Sequence, residues 1–148
     1  MRIVRGPESA DLKQRLGPAR LGAVADIQQA LCAAGIQPDA IGCIIAGASG
    51  SRAGDEMEAH ALQNVFGQRL DQIPLSAPKA AFGEALGASG ALCALTAGLA
   101  LMRGKVGQAI RLPEALAQPA EDIQSEYALV NCFGCDGNNA ALVLKGLN

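Results

Sequence analysis

The 148-residue chain has the length of a single domain. Half of its residues are apolar and 18% are charged, so the composition excludes an intrinsically disordered chain. The formal net charge of −2 provides no basic field, and no nucleic-acid partner is expected. The N-terminal residues lack the apolar stretch of a secretory signal, which predicts a cytoplasmic protein.

The five cysteines are an odd number and, without an export signal, are expected to be free thiols. Cys132 and Cys135 form a C-x-x-C pair, but the sequence has no second pair, and the single histidine, His60, lies in a predicted helix. We therefore predict no metal site. The glycine-rich stretch over 47–54 lacks the Gly-Lys-Ser/Thr ending of a phosphate loop, so no nucleotide or other cofactor is predicted.

Predicted strands and helices alternate along the chain before it ends in two strands. Apolar residues at helical spacing indicate the helices, and short apolar runs bounded by glycine or proline indicate buried strands. This order predicts one α/β domain over residues 1–148, with a mixed sheet that is parallel first and antiparallel at its end. The predicted elements are a strand at 2–4, a helix at 20–34, a strand at 41–46, a helix at 55–66, a strand at 71–76, a helical segment at 82–102 and strands at 127–133 and 139–145.

Two acidic residues mark the predicted start of the second helix. Asp55 is the expected N-cap, and Glu58, three residues later, is its expected capping-box partner. Gly67 is expected to end the same helix. Both acidic residues are therefore assigned a structural role.

The segment from Ala85 to Met102 contains no charged residue. Its glycine, serine and threonine residues make it too polar for a membrane span, and no membrane partner is expected. Small residues mark one helical face, where another backbone can approach closely, and leucines mark a second face. A helix that is apolar all round is typical of a central layer. We predict that this chain supplies one of the two layers that cover it.

Three glycine-rich blocks follow one another in an order known from β-ketoacyl synthases. Residues 79–90 read K-A-A-F-G-E-A-L-G-A-S-G and resemble the family's K-S-x-x-G-H-x-x-G-A-A-G. Residues 47–59 resemble H-G-T-G-T-x-x-G-D-x-x-E-A, and residues 131–140 resemble N-S-F-G-F-G-G-x-N-A. The chain therefore resembles the C-terminal half of a condensing enzyme of the thiolase superfamily.

This resemblance implies a thiolase-like half, a mixed five-stranded sheet with helices on both faces and one central buried helix. In the family, two such halves pack face to face, and each contributes a helix to the shared central layer. The uncharged segment at 85–102 is similar to that helix. The family's nucleophilic cysteine belongs to the N-terminal half, outside the region of resemblance.

The resemblance places Gly47 and Glu84 at the positions of the family's two catalytic histidines. A glycine offers no side-chain donor, and an ionised carboxylate only accepts, so neither stabilises a developing enolate oxygen. No catalytic residue is therefore expected to be intact. Lys79 is retained, and we predict an ion pair between Lys79 and Glu84 rather than a working general acid.

Several further residues are assigned by the resemblance to the wall of the site. Cys135 stands where the family has a phenylalanine that gates acyl access, and Cys132 stands in the place of a serine. With no histidine near in sequence to activate them, both are expected to be small residues that face a tunnel. Lys79, Glu84, Phe133 and Cys135 are the expected lining residues; Asp55, Glu58, Gly83, Gly87 and Asn139 are the expected structural ones.

These observations predict a non-catalytic ketosynthase-like subunit that completes or stabilises a partner β-ketoacyl synthase. It would shape the acyl tunnel, as chain length factors do in fatty acid, polyketide or polyene biosynthesis. The expected partner is a ketosynthase chain or a separate N-terminal-half chain, and an acyl carrier protein is a further candidate. Two alternatives stay open: a composite acyltransferase half-enzyme whose nucleophilic cysteine comes from a partner, and a homodimeric binding protein without activity.

Overall fold

The computed structural model describes residues 2–5, 9–10, 19–107, 120–134 and 138–147. The helices and strands of these residues follow the predicted order. The helices are α1 (Ala19–Ala34), α2 (Arg52–Phe66), α3 (Lys79–Phe82) and α4 (Ser89–Arg103). The strands are β1 (Arg2–Arg5), β2 (Ser9–Ala10), β3 (Ile41–Ile45), β4 (Leu75–Ser76), β5 (Lys105–Val106), β6 (Glu121–Asp122), β7 (Tyr127–Phe133) and β8 (Asn138–Lys145).

The main sheet is mixed, as predicted. Its strands lie in the order β1-β8-β7-β3-β4, and β2 also pairs with β8, which makes six strands in the described residues instead of the expected five. Strand β3 pairs in parallel with β4 and β7, whereas β8 is antiparallel to β1 and β7. Strands β5 and β6 form a small separate antiparallel pair that the sequence did not predict.

Helices cover both faces of this sheet and give it two apolar cores. Strand β3 is buried along its whole length, and its side chains alternate between the faces. Ile44 packs into the core beneath α1 and α2, whereas Cys43 and Ile45 pack against α4. The predicted thiolase-like layering, with helices on both faces, is confirmed.

Helix α2 begins at a different residue from the predicted one. Ser51 is its N-cap and accepts a hydrogen bond from the backbone N of Gly54 at 3.4 Å. Asp55 lies in the first turn instead, where its carboxylate accepts hydrogen bonds from the backbone N of Ser49 and of Gly50. The prediction of Asp55 as N-cap is wrong because serine serves as well in that position and precedes it in the chain.

Residues 71–76, predicted to be one strand, are mostly not extended. A 3₁₀ helix covers Gly67–Gln72, and only Leu75–Ser76 belongs to the sheet. Strand β4 pairs with β3 at two residues only, Leu75 and Ser76.

The helical segment predicted over 82–102 is interrupted. Helix α3 ends at Gly83, whose φ of 80° is a left-handed value that favours glycine, and α4 begins only at Ser89. Gly83 and Gly87 therefore precede α4. A Cβ atom at either position would meet nothing within 4 Å, so the predicted close backbone approach is not made there by the described residues.

Helix α4 is the apolar helix expected at the centre of the fold. By length and composition alone, Leu86–Arg103 is a segment that could cross a membrane. One side of α4 packs on the sheet through Cys93, Ala97 and Ala100. The opposite side is exposed, so among the described residues the predicted central helix is covered by one layer only.

A pair of glycine substitutions tests the packing of β3. A Cβ atom at Gly42 would lie 2.8 Å from the backbone N of Ser125, whereas Gly87 has open space. We expect Gly42→Ala to lower the free energy of unfolding by about 1–3 kcal/mol through overpacking. Gly87→Ala is the matched control and should be neutral or stabilising by up to about 1 kcal/mol. Urea unfolding measures both, and equal effects would contradict the described packing.

Candidate functional site

The three family-like blocks meet at one edge of the sheet. Strands β3, β4 and β7 are parallel, so their carboxyl ends lie on the same side. Gly47 follows β3, Lys79 follows β4, and Cys132 lies near the end of β7. The carboxyl edge of parallel strands is the usual place for ligand sites in α/β folds.

Lys79 and Glu84 form the predicted ion pair. The Nζ atom of Lys79 donates to Oε2 of Glu84 at 2.8 Å, and Lys79 is only 8% exposed. The backbone N of Leu86 donates to the other carboxylate oxygen at 2.9 Å, and the hydroxyl of Ser89 also donates to that oxygen. This network fixes the segment between α3 and α4.

The network keeps Glu84 ionised. The hydrogen bond from Lys79, followed by that from Ser89, lowers the pKa of Glu84 to about 2. Glu84 is therefore a hydrogen-bond acceptor at neutral pH and has no proton to donate. This charge state agrees with the predicted ion pair and disagrees with a general acid.

Glu58 is not the capping-box partner that the sequence suggested. It lies buried behind the site, where Oε1 accepts hydrogen bonds from the backbone N of Gly47 and from Nδ2 of Asn131, each at 2.9 Å. Burial raises the pKa of Glu58. Its carboxylate joins α2 to the loop after β3 and to β7, which a local helix-start pattern could not reveal.

The backbone leaves no room for a side chain at position 47. A Cβ atom on Gly47 would lie 2.9 Å from the carbonyl oxygen of Asn131. That neighbour is backbone and cannot rotate away, so any larger residue would have to displace β7. The only donor of Gly47, its backbone N–H, is bound to Glu58.

Two thiols complete this part of the site, and no sequence pattern indicated a role for Cys93. Cys93 lies on α4 and is fully buried, whereas Cys132 on β7 is partly exposed, and both thiols are free. A hydrogen bond between the two side chains lowers the pKa of Cys93 and raises that of Cys132. They come from distant elements, so no sequence motif pairs them.

The remaining expected residues are not gathered here. Phe133 packs towards the core beneath α1 and α2, on the opposite face from Cys132. Asn139 pairs with Phe133 across the hairpin and is buried, and its Nδ2 has no hydrogen-bond partner within the part of the chain that the structure describes. Cys135 lies outside the described residues. No group of three or more histidine, cysteine, aspartate or glutamate residues within the described ranges could hold a metal ion.

An apolar surface is formed by exposed side chains on the side of α4 away from the sheet and in the segment that precedes this helix. We call it the outer face; its members are Phe82, Leu86, Leu95, Leu99 and Met102. Leu86 and Met102 are 83% and 85% exposed, and Leu95 is 59% exposed. A cavity of about 640 Å³ continues it beyond Met102, between the end of α4 and the end of β8.

Removal of the lysine charge tests the electrostatics of this site. In Lys79→Met we expect the pKa of Glu84 to rise from about 2 towards its ordinary value near 4.3, because its first stabilising partner is gone. In the native protein the depressed pKa stabilises the fold above about pH 4.3, and this contribution is lost as the pH falls towards 2. The variant should lose less stability over that window. Carboxyl NMR titration measures the pKa, and Lys105→Met, which removes an exposed lysine, is the control.

The comparisons with known proteins identify the family. Residues 9–112 match the family model for the β-ketoacyl synthase C-terminal domain. The 3-oxoacyl-[acyl-carrier-protein] synthase 2 of Staphylococcus aureus is 32% identical over an alignment of 127 residues, and the match covers 80% of this chain and 31% of that protein. The chain thus spans about a third of the length of its curated relatives.

Solved structures agree with this match. A β-ketoacyl synthase from Burkholderia phymatum is similar over 99% of this chain and 37% of its own, with a TM-score of 0.83 and 26% identity. The complex of a ketosynthase with its chain length factor from Xenorhabdus doucetiae covers 99% of this chain and 40% of the matched one, with a TM-score of 0.81 and 28% identity. The chain belongs to the β-ketoacyl synthase family, in which it corresponds to the C-terminal domain of the thiolase-like fold.

Proposed function

We propose that this chain is a non-catalytic ketosynthase-like subunit that completes a partner β-ketoacyl synthase and forms part of its acyl-tunnel wall. The exposed outer face of α4 is the observation that carries this proposal. It lies beside a site whose residues at the family's histidine positions cannot donate to a substrate oxygen. The similarity to a ketosynthase and chain length factor complex supports the same role.

The outer face has the composition of a protein contact. Contiguous exposed apolar surface is typical of interaction sites, and burial of a leucine side chain contributes about 1.5–3 kcal/mol. Leu95 and Leu99 project from the middle of α4 and Met102 from its last turn, so the helix presents its length to a partner. A second α/β layer placed on this face would cover the helix on both sides.

The site lacks the electrostatics of a condensing centre. Acyl condensation develops negative charge on an enolate oxygen, which preorganised donors must stabilise. Glu84 presents an anion there, and the one N–H of Gly47 is committed to Glu58. Loss of a single donor of this kind typically lowers turnover by about 10²–10³. These residues therefore support a positioning and lining role.

The same network gives Lys79 a structural role in the proposed subunit. Lys79, Glu84 and Ser89 join the residues after β4 to the start of α4, so they hold the outer face and the site wall in one arrangement. The thiol side of this wall is formed by Cys132, which is small and partly exposed. A tunnel wall built this way limits the volume available to an acyl chain.

A charge on the outer face tests assembly. Co-expressed with a candidate partner ketosynthase, the native chain should give a stable hetero-complex in native mass spectrometry. Leu95→Glu should weaken that complex at least about tenfold, because a carboxylate would be buried without a partner. Gln28→Glu, on the exposed side of α1, is the matched control and should assemble normally.

If Leu95→Glu bound the ketosynthase as tightly as the control does, this result would contradict a contact through the outer face. A stable homodimer that does not bind the ketosynthase would instead favour the homodimeric alternative.

A second variant tests the absence of catalysis by this chain. In the assembled complex, Glu84→Gln, which keeps an acceptor oxygen for the network, should leave the condensation turnover within about threefold, because the carboxylate of Glu84 does not act on the substrate. A composite half-enzyme would lose about 10²-fold or more. Glu56→Gln, which neutralises an exposed carboxylate paired with Arg52, is the control for a general effect of losing a surface charge.

A further inference from the structure

Cys93 and Cys132 bring two thiols together across the contact between α4 and β7. Both side chains belong to the apolar core beneath α4. The Sγ atom of Cys132 lies 3.2 Å from the position that a Cβ atom on Gly90 would take. Gly90 is three residues before Cys93, so the two share one face of α4. Cys132 therefore sits directly over the helical turn that carries Cys93.

The surroundings act differently on the two thiols. The hydrogen bond from Cys132 lowers the pKa of Cys93 and raises that of Cys132, burial raises both, and the positive charge of Lys79 lowers both. Cys93 is therefore the thiol that ionises more readily. Thiolates, rather than thiols, are the nucleophiles in cysteine oxidation. Cys43 lies in the same core, but burial raises its pKa to about 12, which keeps it protonated.

The pair is also reachable. Cys132 is partly exposed at the carboxyl edge of the sheet, whereas Cys93 lies behind it. A small oxidant therefore reaches the sulfur of Cys132 first, and the buried sulfur of Cys93 lies behind it. Because Gly90 has no side chain, the sulfur of Cys132 lies close against this turn, and side-chain rotation can bring the two sulfur atoms together.

We propose that Cys93 and Cys132 form a redox-active dithiol that closes to an intramolecular disulfide on reaction with a peroxide. One thiolate attacks a peroxide oxygen, the O–O bond breaks and hydroxide leaves, which gives a sulfenic acid. The sulfur of the other cysteine attacks that sulfenic sulfur, an S–S bond forms and the second oxygen leaves as water. The two thiol protons end in the two water molecules, so two thiols and hydrogen peroxide give one disulfide and two waters.

The disulfide would link α4 covalently to β7 beside Lys79. A disulfide needs the two sulfur atoms about 2.05 Å apart, so it fixes α4 against the sheet more closely than a hydrogen bond does. The inference does not depend on the proposed subunit function, because it requires only the described contact and a peroxide.

The test oxidises the purified chain with stoichiometric hydrogen peroxide. We expect the intact mass to fall by about 2 Da and the titratable thiols to fall by two from the five in the sequence. Dithiothreitol should reverse both changes. Non-reducing peptide mapping of the native sequence should find the Cys93–Cys132 cross-link.

Single serine substitutions identify which cysteines form the disulfide. Cys93→Ser and Cys132→Ser should each abolish the 2 Da loss, whereas the matched Cys43→Ser should retain it. A map that shows a different pair, a cross-link between chains, or only higher oxidation states on single cysteines would overturn the proposal. The map of the native chain decides the matter even where a variant does not fold.

Discussion

The structure depends on an apolar helix that one layer of this chain can cover on one side only. Cys93, Ala97 and Ala100 bury one side of α4 against the sheet, and the outer face with Leu95 and Met102 has no cover in the described residues. The hydrophobic effect makes such a face unfavourable in water, in proportion to the apolar area exposed. The same helix thus completes the core of this domain and directs it towards a second layer.

The site next to α4 follows from the same arrangement of strands. Parallel pairing of β3 with β4 and β7 brings Gly47, Lys79 and Cys132 to one edge, although they are far apart in sequence. Buried Glu58 holds the loop after β3 by its hydrogen bonds, and the Lys79 and Glu84 pair holds the segment before α4. Both carboxylates hold backbone segments in place at this edge of the sheet.

The order of helices and strands predicted the mixed sheet, and the uncharged stretch predicted the apolar helix, because these are properties of local pattern and burial. The layers followed from the family resemblance. The start of α2 was misplaced because Ser51 and Asp55 are equally good caps by type, and only the loop contacts of Asp55 separate them. Lys79 and Glu84 are close in sequence, so their ion pair was predictable. Glu58 and Cys93 each have a partner on β7, Asn131 and Cys132, so their roles required the tertiary structure.

Hydrogen–deuterium exchange of α4, measured alone and with the partner ketosynthase, tests the central claim most directly. A helix built to be covered on both sides should gain protection across Ser89–Arg103 on assembly, while α1 and α2 on the other face of the sheet stay unchanged. A well-folded monomer whose α4 is already fully protected, and which gains nothing when the partner is added, would contradict the account.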